Sequence, residues 1–253
     1  MIINAKNITI LLLIISFSAF SQKTRKNKLH DKLIGKKTFF GIAFSPTIPT
    51  NFIQKNDNQK FTDSSEYQVN LAAGYVFGME IRHNFSRRIS IQTGINFIRR
   101  NYDAYAILES KKTIITGIDT TYISSMDTSS QRLKFIAYEV PIIVHGFVRL
   151  SKYIYMDIGG GIGFEFYPSD IYANRFYGQR KSWVIPGLLF NIGWEYRNDN
   201  IGIIHFGASY KMHFTDIIHT VYTNKYGRRI DYIDASGNYF AINIKYYFYS
   251  KRR

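Results

Sequence analysis

From residue 38 onward most of this chain alternates apolar and polar positions at period two, and the pattern is clearest between Val69 and Arg100. Val69, Leu71, Ala73, Tyr75, Phe77, Met79 and Ile81 fall on one face, with Asn70, Ala72, Gly74, Val76, Gly78, Glu80 and Arg82 on the other. After a turn around Asn84 to Arg88 the alternation resumes, with Ile89, Ile91, Thr93, Ile95 and Phe97 opposed to Ser90, Gln92, Gly94, Asn96 and Arg100. Successive side chains on a strand point to opposite sides, whereas a helix returns to the same face every 3.6 residues. The stretch therefore predicts two long antiparallel strands meeting different surroundings on their two faces.

Extended along the chain, the same reading predicts eight strands, at about 38–45, 68–83, 89–102, 133–148, 152–166, 182–197, 201–215 and 237–249. The connections alternate in length. Those at 46–67, 104–132, 167–181 and 216–236 are long, and those at 83–88, 149–151 and 197–200 are short. An even-stranded antiparallel barrel puts all its long connections at one end and all its tight turns at the other, which is the asymmetry of transmembrane barrels. Both chain ends then lie at the short-turn end. Pro141 and Pro186 fall inside strands and predict local bulges or bends, since each removes a ladder donor.

Alternation alone does not say which face points inward, because a soluble ligand-binding barrel also alternates, with its apolar face inside. The polar face decides. It carries Gly74, Gly78, Gly94, Gly159, Gly161, Gly163, Gly187, Gly193 and Gly207, with Asn70, Asn96, Asn191, Asn243 and Ser209. A water-facing exterior would favour long charged side chains, whereas a narrow eight-strand interior needs small residues opposite large ones. The other face, Ile154, Met156, Ile158, Ile162 and Phe164 in one strand and Phe240, Ile242, Ile244, Tyr246 and Phe248 in the last, suits hydrocarbon. The expected fold is all-β, an eight-stranded antiparallel up-and-down transmembrane β-barrel. Closure leaves no backbone group unpaired in lipid. Phe147, Tyr153, Trp194, Tyr196 and Phe248 are expected in an aromatic girdle near the short turns.

Composition agrees: 20 Tyr and 20 Phe with 18 Gly and only 5 Pro is a strand-rich profile. The formal charge of +15 would suggest a nucleic-acid binder if it were spread over the chain. It is concentrated in two tails, Lys23, Arg25, Lys26, Lys28, Lys32, Lys36 and Lys37 against Asp31 at one end, and Lys251, Arg252 and Arg253 at the other. No aromatic stacking platform accompanies them, so no nucleic-acid partner is expected. Residues 1–21 read as a cleaved secretory signal, with Lys6, the apolar run Ile8 to Ile15, and the small residues Ala19 and Ser21 before Gln22. Residues 22–37 form a basic periplasmic leader, 38–250 the barrel and 251–253 a basic tail. The absence of cysteine excludes a lipid-modified N-terminal cysteine.

By strand parity the interior receives Glu80, Arg82, Arg100, Glu139, His145, Asp157, Glu165, Glu195, His205, Lys211, His213 and Lys245. Carboxylates and cations nearly balance, so the expected role is a structural ion-pair network plugging the lumen. A proton or ion path would need a wider, continuously hydrated bore. His205, Ser209 and His213 share one face of a strand, and with Asp157 or Glu139 they are the residues from which a Ser-His-carboxylate enzyme would be built. The two histidines are roughly 27 Å apart along an extended strand, too far to share a metal or a dyad. No nucleophile-elbow or zinc motif is present. Gly159-Gly160-Gly161-Ile162-Gly163 lies inside a strand with no Lys-Ser/Thr after it, so it reads as close wall packing, not a phosphate cradle. No enzyme activity, catalytic residue, metal, cofactor or small-molecule substrate is expected.

Tyr75 to Arg100, Tyr138-Glu139-Val140-Pro141-Ile142-Ile143, the glycine run at 159–163 and the terminal Tyr246-Tyr247-Phe248-Tyr249 together resemble the outer-membrane β-barrel family of the Bacteroidota, its PorT-like members in particular. The resemblance spans residues 38–250. It implies an outer-membrane location with both termini periplasmic, and outer-membrane lipid as the surrounding partner. Some members of the family are similar to components that assist protein secretion, so contact with other outer-membrane or periplasmic proteins is a further expectation. The stretch 107–131 of the second long connection allows its flanking strands to extend into a protruding hairpin, and 216–236 has the same alternation around Tyr226-Gly227; exposed edges of this kind either pair with a partner strand or are passive ends of the barrel. A channel or transport accessory, a membrane-embedded lipid enzyme and a soluble ligand-binding barrel are the alternatives.

Overall fold

The computed structural model describes residues 38–50, 58–62, 65–116, 119–198, 201–223 and 229–248. The regions read as signal, basic leader and basic tail lie outside them. In chain order the strands are β1 (Thr38–Pro49), β2 (Asn58–Thr62), β3 (Ser65–Asn84), β4 (Ile89–Thr116), β5 (Asp119–Arg149), β6 (Ile154–Phe166) and β7 (Ile171–Ala173). They continue as β8 (Phe176–Arg180), β9 (Val184–Asn198), β10 (Gly202–His213), β11 (Ile218–Thr223), β12 (Arg229–Ala235) and β13 (Tyr239–Tyr247).

Eight of these close a ring. The order β1-β13-β10-β9-β6-β5-β4-β3 is antiparallel throughout, and β3 pairs back onto β1 from Thr38↔His83 to Thr47↔Gly74. All connections join ring neighbours, so the architecture is the up-and-down barrel that the alternation predicts. The predicted strand positions agree with the eight ring strands to within a few residues at the short-turn end. The turns there are tight: Phe85 N–H donates to Ile89 O at 3.1 Å, Leu150 N–H donates to Ile154 O at 3.0 Å, and Gly202 takes φ 113° after the third.

The long connections are largely strand, and the one holding 107–131 is the protruding hairpin that its sequence allows. β4 and β5 stay paired from Ile89↔Gly146 out to Thr116↔Asp119, so the region read as a loop at 104–132 is a continuation of the barrel wall into a long hairpin. The connections at 167–181 and 216–236 each hold a hairpin, and the two join through β8 and β11 into a separate four-stranded sheet, β12-β11-β8-β7. That sheet packs against the inner side of the extended wall. Phe176 and Tyr222 meet Tyr67 with ring centroids 6.0 and 5.9 Å apart, and Tyr102 packs edge-on to Phe135 at 5.8 Å. Ile98, Leu133, Ile185, Ile217, Ile218 and Ile233 complete a buried apolar core at this end.

Three local expectations need correcting. The alternation of β3 is not continuous. A bulge between Ala72 and Tyr75 shifts the register, so Tyr67 and Val69 point inward before it while Val76, Glu80 and Arg82 point inward after it. The extra residue lets the odd positions that would meet solvent at the loop end join the apolar core instead. Pro141 and Pro186 cause no bulge: the β5–β6 and β6–β9 ladders run through Pro141↔Gly163 and Phe164↔Pro186 without a shift, and Pro141 only leaves a gap in the β4–β5 ladder between Thr93↔Ile142 and Asn96↔Glu139. Phe147 is not a girdle residue, because its ring is buried on the inner face; Trp194, Tyr196 and Phe248 do face outward.

Candidate functional site

The barrel interior collects the charge. All twelve residues assigned inward by parity are buried there: Glu80, Arg82, Arg100, Glu139, His145, Asp157, Glu165, Glu195, His205, Lys211, His213 and Lys245. Their arrangement is two clusters separated by a small cavity.

Toward the short turns, Arg82 pairs with Glu195, whose second oxygen receives Arg197 Nε at 2.8 Å. Lys245 reaches Glu80 at 2.9 Å, and Tyr247 donates its hydroxyl to the same carboxylate at 2.7 Å. Asp157 lies between two imidazoles, 2.9 Å from His145 Nδ1 and 3.0 Å from His205 Nε2. Aromatic rings pack around the guanidinium groups: Arg82 lies over Phe147 at 5.3 Å and Arg197 lies over the same ring at 4.3 Å. Three carboxylates here meet Arg82, Arg197 and Lys245.

Toward the loop end, Glu165 accepts from Arg100 Nη2 at 2.8 Å and from His213 at 3.2 Å, and Lys211 bridges Glu139 to Glu165. Asn96 donates to Glu139 at 2.8 Å, and Tyr167 donates to Glu165 at 2.5 Å. His213 is fixed from behind by Asn238, whose Oδ1 receives its backbone N–H at 2.8 Å. Two carboxylates meet Lys211 and Arg100. With neutral histidines each cluster is balanced by itself, which is how buried charge avoids an uncompensated desolvation cost.

The inward glycines make room for these groups. A Cβ on Gly193 would lie 2.6 Å from His205 Nε2, so the absent side chain on β9 opens the gap through which Asp157 on β6 meets His205 on β10. Gly159 does the same for His145, whose Nδ1 would be 2.8 Å from an added Cβ. Small opposite large is the packing rule of a narrow barrel, and here the large partners are ionised.

Between the clusters is a cavity of about 40 Å³, lined among others by Ser45, Gln92, Asn96, Asn191, Ser209 and Asn243. Asn243 Oδ1 accepts from Ser45 at 2.8 Å and from Ser209 at 3.2 Å. That volume is room for ordered water.

Ser209 therefore bonds to an amide, His205 to Asp157 and His213 to Glu165, so the three residues of the hypothetical catalytic set are not brought together. Among the described residues no group of three or more His, Cys, Asp or Glu side chains is arranged to hold a metal ion. Four network members escaped the sequence reading: Tyr167, Arg197, Tyr247 and Tyr239, whose ring centroid lies 5.2 Å from Arg100 Cζ. The signal was available, since Tyr167, Arg197 and Tyr247 each follow a named interior residue by two, at Glu165, Glu195 and Lys245, and so share its face.

No protein-family model and no curated protein matches the chain. Among solved structures, the chain is similar to OmpT, an outer membrane protein of Vibrio cholerae, at 10% identity and a TM-score of 0.22, covering 83% of this chain and 96% of that one. It is also similar to an outer membrane channel of Pseudomonas putida F1, at 11% identity and a TM-score of 0.27, covering 89% of this chain and 99% of that one. At such values neither protein's activity transfers.

Proposed function

We propose that the protein is a non-enzymatic integral barrel of a bacterial outer membrane, closed by its own interior side chains and meeting its partners through the parts that rise beyond the lipid. One observation carries this reading: the barrel is inverted relative to a water-soluble one. Phe40, Met79 and Ile95 are 61%, 64% and 59% exposed on the outside, while Arg82 and Glu195 on the inside are each 1% exposed. The apolar exterior continues around the ring through Val144, Ile158, Ile192, Phe206 and Ile244. Soluble monomers rarely expose contiguous apolar patches beyond a few hundred Å². Hydrocarbon is the solvent that suits this surface, and the ring strands, 9 residues in β13 and 12 in β1 and β10, are long enough to cross it at a tilt.

In this reading the short turns and both chain ends are periplasmic and the long hairpin with the four-stranded sheet is extracellular. Balanced ion pairs on either side of a cavity of about 40 Å³, and the apolar core under the four-stranded sheet, support a lumen closed to ions. The separation of Ser209 from both histidines supports a non-catalytic role. A place beside protein-secretion components, with the extracellular hairpin and sheet as the contact region, rests on the resemblance to PorT-like barrels alone.

Membrane fractionation combined with gel mobility before and after heating tests the core of the proposal. The expected result is an outer-membrane protein whose unheated band migrates differently from the boiled one. Mature protein that stays in solution without detergent overturns it. Planar-bilayer conductance tests closure, with no discrete channel events expected. Lipid turnover by the purified protein that disappears in the Ser209→Ala, His205→Ala, His213→Ala triple variant would reverse the non-enzymatic part.

A further inference from the structure

At the loop-end rim of the barrel, four cations outside the buried network are neutralised by aspartates. Arg132 lies 2.6 Å from Asp103, Arg175 2.6 Å from Asp127, Arg180 3.7 Å from Asp170 and Lys181 2.8 Å from Asp234. Arg99 and Lys134, on the same rim, have no ion pair among the described residues. They are neighbours. Arg99 on β4 faces Ile136 on β5 and Asn101 faces Lys134, so the two cations are diagonal partners on one outward face.

Directly below them runs a band of rings. Phe44, Tyr75, Phe97 and Tyr138 sit side by side across β1, β3, β4 and β5, with successive centroids 6.3, 6.2 and 6.0 Å apart. Such rings take the boundary between acyl chains and headgroups. Arg99 is one outward position beyond Phe97, and Lys134 is two beyond Tyr138, which is roughly 7 Å and 14 Å along the strands toward the loops. Long cationic side chains at that height extend to headgroup depth.

We propose that Arg99 and Lys134 form a binding site for the phosphate of an outer-leaflet glycolipid. Charge and position together select the ligand. Two adjacent cations lacking a protein anion call for an external one, and the aromatic band fixes its depth at that of a lipid phosphate whose acyl chains lie along Phe77, Ile95 and Ile142. A free phosphate in bulk water gains nothing from that apolar wall. Asp103, paired to Arg132 one row further out, marks the upper limit of the site. The inference rests on the membrane reading above.

The test uses the full barrel extracted in detergent, stripped of lipid, and titrated with diphosphoryl lipid A or its dephosphorylated form, with bound lipid counted by native mass spectrometry. The wild type is expected to retain the phosphorylated lipid in preference. The Arg99→Gln, Lys134→Gln double variant should bind it about thirtyfold more weakly, the scale expected for removing two membrane-proximal cations. Arg132→Gln, which removes a cation already paired, should change retention less than about twofold. Equal retention of both lipids, or by the double variant, overturns the site, as does displacement by millimolar inorganic phosphate. Heat-dependent gel mobility on the same preparations separates the two levels. A barrel that passes it and shows no phosphate preference refutes the site alone; a protein that stays soluble without detergent refutes the membrane reading.

Discussion

The ring of Tyr247 faces the Arg82 guanidinium, with Cζ 4.2 Å from the ring centroid. Tyr247 belongs to the last strand and Arg82 to β3, and β1 lies between them, so the contact crosses the seam where the first and last strands of the ring meet. The same tyrosine donates its hydroxyl to Glu80, with Gln92 Oε1 2.9 Å away. One side chain thus serves two ion pairs. Tyr247→Phe keeps the ring over Arg82 and loses a hydrogen bond to a charged group, which predicts a loss of about 2 kcal/mol. Tyr247→Ala also removes a fully buried ring and should cost about 4 kcal/mol. Urea titration of the barrel in lipid vesicles, read from the folded gel band, separates the two; equal losses would show that the ring contact contributes nothing.

Glu195 and Arg82 are not equivalent partners. Glu195 holds Arg82 with one oxygen and Arg197 with the other, and both guanidiniums pack on Phe147. Arg82→Met leaves Glu195 still paired to Arg197. Glu195→Gln leaves two buried cations sharing a neutral amide, the uncompensated case, which costs on the order of 3–5 kcal/mol. The expected order of stability is wild type, Arg82→Met, Glu195→Gln. Addition of Arg197→Met to Glu195→Gln should recover part of the loss, and failure to do so would mean that repulsion between the two cations is not the cause.

How far these features were legible follows from what period two encodes. It encodes side, so where lipid and lumen differ sharply, as along β4, β5 and β9, the inward charges can be assigned before any coordinates. It does not encode height or azimuth. Nothing in the spacing of Asp157 and His205 says that they meet, because the meeting depends on the missing side chain of Gly193 on the strand between them. The bulge in β3 was invisible because it falls among Ala72, Ala73 and Gly74, which carry too little contrast in hydropathy to register a shift of one position. Of the four-stranded sheet, the alternation of β11 and β12 on either side of Tyr226-Gly227 is visible in the sequence, whereas the β7–β8 half is not. β7 and β8, of 3 and 5 residues, alternate over too few positions to stand out from a polar loop.

That sheet has its own electrostatic clasp, which predicts a pH dependence. Asp234 on β12 lies 2.8 Å from Lys181 and 2.7 Å from His219 Nδ1. Partial burial pushes its carboxyl up, and the hydrogen bonds from Lys181 and His219 outweigh this and hold it below the usual value near 3.8. A depressed carboxyl gives its full stabilisation above that ordinary value and loses it as pH falls through the lower value in the folded protein. Lys181 is raised above its ordinary 10.5, chiefly by the hydrogen bond to Asp234, so its part is complete below that pH and fades above it. The clasp is therefore closed from about pH 4 to about pH 10 and opens at either extreme. Protection of the Lys181 amide, whose N–H donates to Ile217 O at 2.9 Å, measured against the intrinsic exchange rate at each pH, should fall as pH drops below about 4. Asp234→Asn should abolish this acid limb, and an unchanged limb in that variant would assign it to another group.

Gly160 and Gly161 are adjacent in β6 and should respond oppositely to the same substitution. A Cβ on Gly161 would clash with Ile142 O on β5 and lie 2.7 Å from Ile143 Cα. These are backbone atoms, so the two strands would have to separate. Gly160 points to the other side of the wall, where the nearest atom to an added Cβ is Leu189 O at 4.0 Å. Gly161→Ala is expected to destabilise the barrel by about 1–3 kcal/mol, as overpacking does, or to prevent closure, seen as loss of the heat-modifiable band. Gly160→Ala adds a methyl to the apolar exterior, with no close contact, and should fold with unchanged gel mobility and stability equal to or slightly above the wild type. If Gly160→Ala were the damaging change, the two faces of β6 would be reversed, and the assignment of its charged row to the interior would be reversed with them.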